Sequence, residues 1–236
     1  AEVEEQLIFT STGFNVTDGL FPLPDGTTIS PLADERSEFI ARNNSLRNNI
    51  VANAYVLVSP LKGLNFRSNI GANFNNTRQG IFNDRTSLAQ NGPRISTASQ
   101  NTTFNRYINW DNILTYTKNI NDHNLVLTGI TSYQQSDVDR LSASGQGQIL
   151  ASQLFYDLNS SSTSITRSIG SSYEGWSNMA YATRLNYSYK GKYLFTASGR
   201  YDGASRLSAG NKWSFFPSAA VGWNIFEESF MKNIRQ

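Results

Sequence analysis

Cysteine is absent from this chain of 236 residues, which excludes disulfides, thiolate metal sites and cysteine nucleophiles. The one histidine, His123, lies in a predicted tight turn, and a zinc site needs several His or Cys ligands. No segment has the spacing of a calcium loop or of a phosphate-binding loop. The sequence therefore predicts no catalytic site, no metal and no cofactor, and the chain is not expected to be an enzyme.

Long apolar runs are also missing, because the longest covers residues 54–58 only. A membrane-spanning helix needs ~20 apolar residues, so none is predicted. The acidic segment 1–9 lacks the apolar core of a signal peptide. A strand of a membrane barrel differs from a helix, since only every second side chain contacts lipid. These absences therefore still allow the chain to cross a membrane as β-strands.

Charge is scarce and balanced. Charged residues make up 16% of the chain, against about 25% in a typical soluble domain. The 20 basic side chains nearly match the 18 acidic ones, whereas a nucleic-acid partner would need clustered positive charge. Aromatic residues reach 12% and asparagine is abundant, as suits a wall with one wet and one lipid-facing surface. A secreted soluble β-sandwich, acting as a carbohydrate-binding or adhesion module, fits the same composition and stays an alternative.

Alternation of apolar and polar residues is clearest over residues 64–75. Twelve alternating residues exceed an ordinary strand of ~5–6 residues and resemble the ~9–11 with which a tilted strand crosses a bilayer. We predict that one face contacts lipid and that the other lines a water-filled lumen. The first face carries Leu64, Phe66, Ser68, Ile70, Ala72 and Phe74, and the second carries Asn65, Arg67, Asn69, Gly71, Asn73 and Asn75.

Seven strands are predicted in all. Their connections alternate between short and long, as in an outer-membrane barrel with tight periplasmic turns and long outer loops. The predicted fold class is therefore all-β, with antiparallel up-and-down strands forming part of a transmembrane outer-membrane β-barrel. The predicted strands cover residues 48–58, 64–75, 103–118, 124–135, 177–189, 193–202 and 214–226. The predicted connections are 59–63, 119–123 and 190–192 (short), 76–102 and 136–176 (long), and 203–213 (medium).

A complete bacterial barrel has an even number of strands, so seven strands indicate a fragment. We interpret residues 1–236 as one partial barrel domain. Residues 1–47 are predicted to form a loop or strand lead-in, with one or two helical turns over residues 32–42. Open strand edges leave backbone groups unpaired, so the fragment is not expected to fold stably alone.

A specific motif occupies the last third of the chain. Residues 193–206 read YLFTASGRYDGASR, and residues 211–225 read NKWSFFPSAAVGWNI. This pattern resembles a barrel segment of the SusC/RagA family of TonB-dependent outer-membrane transporters. In that family one strand ends in Arg-x-Asp-Gly-Ser-Ser-Arg, and the next begins in Trp-x-x-Phe-Pro-Ser and continues to Gly-Trp. Ala204 replaces the first Ser, and Leu207 replaces a usual Phe. The motif residues, for which we predict a structural role, are Arg200, Asp202, Gly203, Ser205, Arg206, Trp213, Phe216, Pro217, Ser218, Gly222 and Trp223.

The resemblance implies that the chain is part of an energised import channel in the outer membrane of a Gram-negative bacterium. The nutrients implied are glycans, oligosaccharides or peptides. The implied partners are a SusD-type surface lipoprotein, the TonB complex and outer-membrane lipid. The family also has an N-terminal plug domain and a TonB box, and neither is recognisable in this sequence. A passive porin would share the architecture and lack the plug.

Candidate substrate contacts are aromatic rings and polar side chains, because glycans bind to ring faces and to Asn, Asp and Arg. Tyr156, Tyr173 and Trp176 are predicted in long loops, where their rings could stack on sugars. Arg200 and Asp202 share a strand face and are expected to form a hydrated ion pair. The polar candidates predicted on lumen-facing strands are Asn65, Arg67, Asn69, Asn73, Arg184, Arg200 and Asp202.

Overall fold

The computed structural model describes residues 34–35, 37–90, 95–160 and 167–234, with side chains up to residue 231. Within these residues the chain forms seven β-strands in one sheet, and each strand pairs with its neighbours in sequence. The prediction of antiparallel up-and-down strands is therefore confirmed. The strands are β1 (Ala41–Leu61), β2 (Leu64–Asn83), β3 (Thr97–Ile120), β4 (His123–Gln146), β5 (Ser168–Tyr189), β6 (Tyr193–Ala204) and β7 (Trp213–Trp223). No helix in this part of the chain is long and apolar enough to cross a membrane.

Three tight turns join β1 to β2, β3 to β4 and β5 to β6, where short connections were predicted. Each turn contains at least one residue with positive φ: Gly63 at 86°, Asn121 at 49°, and Lys190 and Gly191 at 56° and 67°. Glycine and asparagine adopt this conformation at low cost. At Gly63 a side chain would also be blocked, since a Cβ would lie 2.2 Å from the carbonyl oxygen of Thr117.

The strands β1 to β5 are longer than predicted, so the assignment to long loops is wrong for residues 76–83, 97–102, 136–146 and 168–176, which are strand. Strand β2 continues to Asn83, and β5 already begins at Ser168. Alternation is lost in these extensions, because residues 75–79 are polar on both faces (Asn-Asn-Thr-Arg-Gln). Backbone hydrogen bonding between neighbouring strands holds them without an apolar pattern.

The first strand begins earlier than the predicted residue 48, because β1 starts at Ala41 and the last part of the predicted lead-in, residues 41–47, is strand. Residues 34–35 form a short 3-10 turn and residues 38–40 a further turn, whereas the expected helical turn at residues 41–42 is strand. Residues 1–33 lie outside the described part. Strand β7 ends at Trp223, before the predicted residue 226, and two 3-10 turns follow it.

The chain divides into two compact units, each made from parts of several strands. The loop unit comprises the described residues of Ala1–Asn48, Asn75–Phe104 and Asp139–Tyr173. The belt unit comprises those of Asn49–Phe74, Asn105–Val138 and Glu174–Gln236.

The loop unit has a small apolar core. Phe82, Ala98 and Phe155 are almost fully buried, with exposed fractions of 0%, 2% and 2%. The Phe155 ring lies over Gly80, where a Cβ would be 2.2 Å from it. Gln100 donates a hydrogen bond from Nε2 to the Phe155 carbonyl oxygen at 2.7 Å. The buried ring of Phe155 therefore anchors the connection between β4 and β5 to the end of β2 and the beginning of β3.

Candidate functional site

The strands of the belt unit present two chemically different faces. Side chains alternate along a strand, and residues paired across strands share a face. The pairs Tyr181 with Tyr201 and Tyr201 with Phe215 define one face across β5, β6 and β7. We call this surface the apolar face. It is formed by alternate residues, beginning with the first, of seven belt segments: 50–58, 64–74, 108–116, 125–133, 179–187, 193–201 and 213–223. The residues between them form the polar face.

The apolar face carries no charged residue in any of the seven segments. Its large side chains are exposed, as in Ile50 at 63%, Phe215 at 62% and Val221 at 85%. A soluble protein rarely exposes so continuous an apolar surface. Each segment is nine to eleven residues long, the length with which a tilted strand crosses hydrocarbon.

The exposure of this face also tests the alternative of a soluble β-sandwich. In a β-sandwich the apolar side of β2 would pack on a second sheet. Phe66 and Ile70 are 37% and 52% exposed. All strands of the described residues belong to one sheet. The predicted division of β2 into an apolar and a polar side is thus present, and no second sheet covers it within this part of the chain.

Polar groups on the apolar face are hydrogen-bonded to one another. The Nε1 of Trp110 donates to the Oγ of Ser68 at 2.9 Å, and the Nδ2 of Asn112 donates to the Oγ1 of Thr131 at 3.3 Å. Hydrocarbon offers no partner for such groups. Their mutual pairing makes this face compatible with lipid although it is not purely aliphatic.

Aromatic rings cluster at both ends of the apolar face. Near the turns, the His123 Nδ1 lies 2.6 Å from the Tyr187 hydroxyl, and the His123 ring centroid is 4.7 Å from that of Tyr189. At the opposite end Trp213 stacks on Tyr201, with centroids 4.8 Å apart and planes at 17°. Such aromatic belts are typical of membrane interfaces. His123 thus belongs to an aromatic cluster, and no group of metal-ligating side chains is found within the described residues.

Beyond β7, Glu228 connects the following segment to the β5–β6 turn. Its carboxylate accepts hydrogen bonds from Lys192 Nζ at 2.8 Å, the Tyr193 hydroxyl at 2.8 Å and Trp223 Nε1 at 3.2 Å. These donors, Lys192 first, lower the pKa of Glu228 to about 2.

The polar face contains all the charged residues of the belt segments. Arg67 donates from Nε to Asn69 Oδ1 at 2.7 Å, and its guanidinium lies 4.7 Å from the centre of the Tyr55 ring. Asn65 accepts a hydrogen bond from Ser59 at 2.6 Å. The Oδ1 of Asn73 is buried without a hydrogen-bond partner. The predicted polar candidates of β2 therefore lie on one surface.

The expected ion pair between Arg200 and Asp202 is confirmed, with Nε to Oδ1 at 2.7 Å. The pair lines a cavity of about 290 Å³ together with Lys212 and Phe216. Arg184, also on the polar face, is exposed and pairs in register with Ser198 of β6. Cationic and hydroxyl groups are thus available to a polar ligand along this face.

Gly203, Ser205 and Arg206 of the motif have structural contacts at the end of β6. A Cβ on Gly203 would lie 2.7 Å from the Trp213 ring, so glycine is required beneath that ring. Ser205 donates from its backbone N to the Ser177 carbonyl oxygen at 2.9 Å, and its Oγ accepts from the Ser177 backbone N at 2.8 Å. The Arg206 guanidinium lies 4.6 Å from the Trp176 ring centre. The rest of the motif pairs in register across β6 and β7: Phe216 with Arg200, Pro217 with Gly199, Ser218 with Ser198, Gly222 with Leu194 and Trp223 with Tyr193.

The three aromatic candidates lie in different surroundings. Tyr156 is in the connection between β4 and β5 and is 60% exposed. Tyr173 and Trp176 lie within β5, so the prediction that they belong to a loop is wrong. Trp176 alternates onto the polar face and contacts Tyr107 at 6.3 Å between centroids, whereas Tyr173 points to the opposite side. Sequence reasoning missed the contacts of Trp176 with Tyr107 and Arg206, because the three residues are far apart in the chain.

Comparisons with known proteins agree on one group of receptors. No family model matches the chain. It is 31% identical, over 99% of its length, to TonB-dependent receptor P26 of Formosa agariphila. It is 52% identical over 56 residues, 24% of the chain, to TonB-dependent receptor SusC of Bacteroides thetaiotaomicron, of which it covers 6%. In structure it matches the RagAB peptide transporter with a TM-score of 0.74 at 18% identity, over 83% of this chain and 22% of that one.

The chain spans about a fifth of the length of the first curated relatives it matches, 23% of P26 and 18% of TonB-dependent receptor P3 from the same organism. The likeness to RagAB establishes the fold, a segment of β-barrel wall. The motif over residues 193–206 and 211–225 predicted the same group of receptors.

Proposed function

Because the chain belongs to the SusC/RagA-like TonB-dependent transporters as a segment of their β-barrel, we propose that it forms part of the wall of an outer-membrane channel that imports nutrients. The observation that carries this proposal is the separation of charge between the two faces. All charged residues of the seven belt segments lie on the polar face, while the apolar face is exposed over the length that crosses a bilayer.

In this proposal the apolar face contacts hydrocarbon and the polar face lines the interior of the complete barrel. The three tight turns are proposed to lie on the periplasmic side, where outer-membrane barrels have their short connections. The chain has no catalytic part in this function, in keeping with relatives named as receptors and transporters.

The proposed cargo is a glycan, an oligosaccharide or a peptide. RagAB is described as a peptide transporter, and the polar face offers guanidinium, amide and hydroxyl groups that suit either class. The residues proposed to contact cargo are Asn65, Arg67, Asn69, Asn73, Tyr156, Trp176, Arg184, Arg200 and Asp202, whereas Tyr173 is left out because its side chain points to the opposite side of β5. A SusD-type lipoprotein and the TonB complex are proposed as partners because of the family.

The proposal is tested with the full-length transporter in its host, with the native gene deleted and restored. Uptake of labelled oligosaccharides and peptides should require the gene and should stop when a protonophore removes the energy source. Uptake that persists under the protonophore would indicate a passive porin. Recovery of the full-length protein in the aqueous phase without detergent would contradict membrane insertion.

A matched pair of variants tests the cargo surface. Arg200→Gln breaks the ion pair on the polar face, whereas Tyr201→Phe changes the adjacent residue on the apolar face. We expect the first to raise the half-saturating cargo concentration by about tenfold, the loss of one charge-assisted hydrogen bond, and the second to leave it unchanged. If the two variants had equal half-saturating cargo concentrations, Arg200 would not be a cargo contact.

A further inference from the structure

Lysines concentrate at the turn end of the belt unit. Of the five lysines whose side chains the structure describes, Lys62, Lys118, Lys190 and Lys192 lie in or beside the three tight turns. Two of these have acidic partners: Lys190 lies 3.6 Å from Asp122, and Lys192 lies 2.8 Å from Glu228. Lys62 and Lys118 have no such partner within the described residues.

The backbone places these two lysines next to each other. Thr117 donates from its N to the Gly63 carbonyl oxygen at 2.7 Å, and the two segments run in opposite directions. Lys62 precedes Gly63 and Lys118 follows Thr117, so they face each other one step beyond this contact. Both are exposed. Like charges opposite each other on neighbouring strands are destabilising, and an anion bound between them would remove the repulsion.

The pair lies at the edge of the apolar face. Lys118 continues that face of β3 two positions after Tyr116, and it is the first charged residue there after the uncharged segment 108–116. Ile120, two positions further on, is 56% exposed. A lysine at the edge of a membrane-spanning apolar face can place its ammonium group among lipid headgroups while the neighbouring apolar side chains stay in hydrocarbon.

We propose that Lys62 and Lys118 bind the phosphate of an anionic phospholipid in the leaflet next to the short turns. This inference rests on the proposed function, which places the apolar face in the membrane. Two ammonium groups complement one phosphate by charge and by hydrogen bonds. The acyl chains of the same lipid lie along Leu114 and Tyr116, a contact that free phosphate cannot make.

The test uses native mass spectrometry of the full-length transporter in detergent, titrated with phosphatidylglycerol or with phosphatidylcholine of identical chains. We expect phosphatidylglycerol to be retained preferentially. The double variant Lys62→Gln/Lys118→Gln should lose about fivefold in affinity for each lysine removed. Lys62→Arg/Lys118→Arg keeps the charge and should retain the lipid. Arg85→Gln, which removes an exposed charge from the β2–β3 connection, should behave as the unchanged protein.

Equal retention of the two lipids, or unchanged retention in the glutamine double variant, would overturn the inference. Displacement of the lipid by millimolar inorganic phosphate would also overturn it, because the site would then be one for free phosphate. A fold check by heat-dependent gel mobility shows whether each variant is intact. Failure of the proposed function is a separate result, since it would appear as a transporter that does not enter vesicles of either lipid.

Discussion

A charge placed on the apolar face should destabilise the barrel according to its depth in the membrane. Leu114 lies within the belt segment of β3 and is 46% exposed, whereas Ile120 lies at the end of β3 on the same face. Arginine costs ~2–4 kcal/mol at the bilayer midplane and ~0–1 kcal/mol near the interface of a β-barrel. Leu114 lies two residues from the middle of segment 108–116, so Leu114→Arg should cost about 2 kcal/mol, the lower end of this range, and lower the folded-to-unfolded ratio roughly 30-fold. Ile120→Arg should lower it by much less.

The assay is urea unfolding of the full-length transporter in phosphatidylcholine vesicles, followed by tryptophan fluorescence. Thr115→Arg is the matched control, because Thr115 is the next residue and belongs to the polar face. We expect its unfolding free energy to stay within about 1 kcal/mol of the unchanged protein, since the group can be hydrated there. If Thr115→Arg were as harmful as Leu114→Arg, or if Ile120→Arg were the worst of the three, the assignment of the faces would be refuted.

Three further changes test the packing. Glu228→Gln removes a carboxylate whose folded pKa of about 2 lies below its ordinary value of 4.5, so its stabilising effect is complete above pH 4.5 and is lost as the pH falls towards 2. The Tm difference between the unchanged protein and the variant should shrink over that range, and a constant difference would contradict the role of the carboxylate. Gly203→Ala places a Cβ 2.7 Å from the tryptophan ring above it and should cost ~1–3 kcal/mol of unfolding free energy. Gly129→Ala, with nothing within 4 Å, is its control, and equal effects in denaturant would refute the steric explanation. Phe155→Ala should cost ~3–5 kcal/mol locally and expose the β4–β5 connection to protease. Ile149→Ala, in the same connection on a side chain 74% exposed, should not, and equal cleavage of both would count against the anchor.

The belt part of the fold could be predicted because hydrocarbon imposes a strict pattern on it. Lipid tolerates no charge on one face, so residues 64–75 alternate cleanly. The tight turns could be located from glycine, proline and asparagine. The Arg200–Asp202 pair followed from two residues on the same side of one strand, and its geometry is local.

The outer parts of the strands could not be predicted for a physical reason. Polar and small side chains occur on both faces of residues 76–83 and 168–176, so no alternation distinguishes strand from loop there. Tyr173 and Trp176 were therefore placed in a loop. The buried anchor at Phe155 was also missed, because its partners Phe82 and Ala98 come from strands distant in sequence. Such contacts depend on tertiary packing and leave no periodic signal.

The most direct test of the two-faced wall is a single-cysteine scan of β3. This chain has no cysteine of its own, so positions 108–116 can be substituted one at a time in a full-length transporter freed of other cysteines. Each is labelled with a nitroxide in vesicles, and its accessibility to oxygen in the lipid and to a water-soluble nickel complex is measured. We predict strict alternation, with even positions accessible to oxygen and odd positions to the nickel complex or to neither. Even positions that react with the nickel complex as readily as odd ones would contradict a lipid-facing wall.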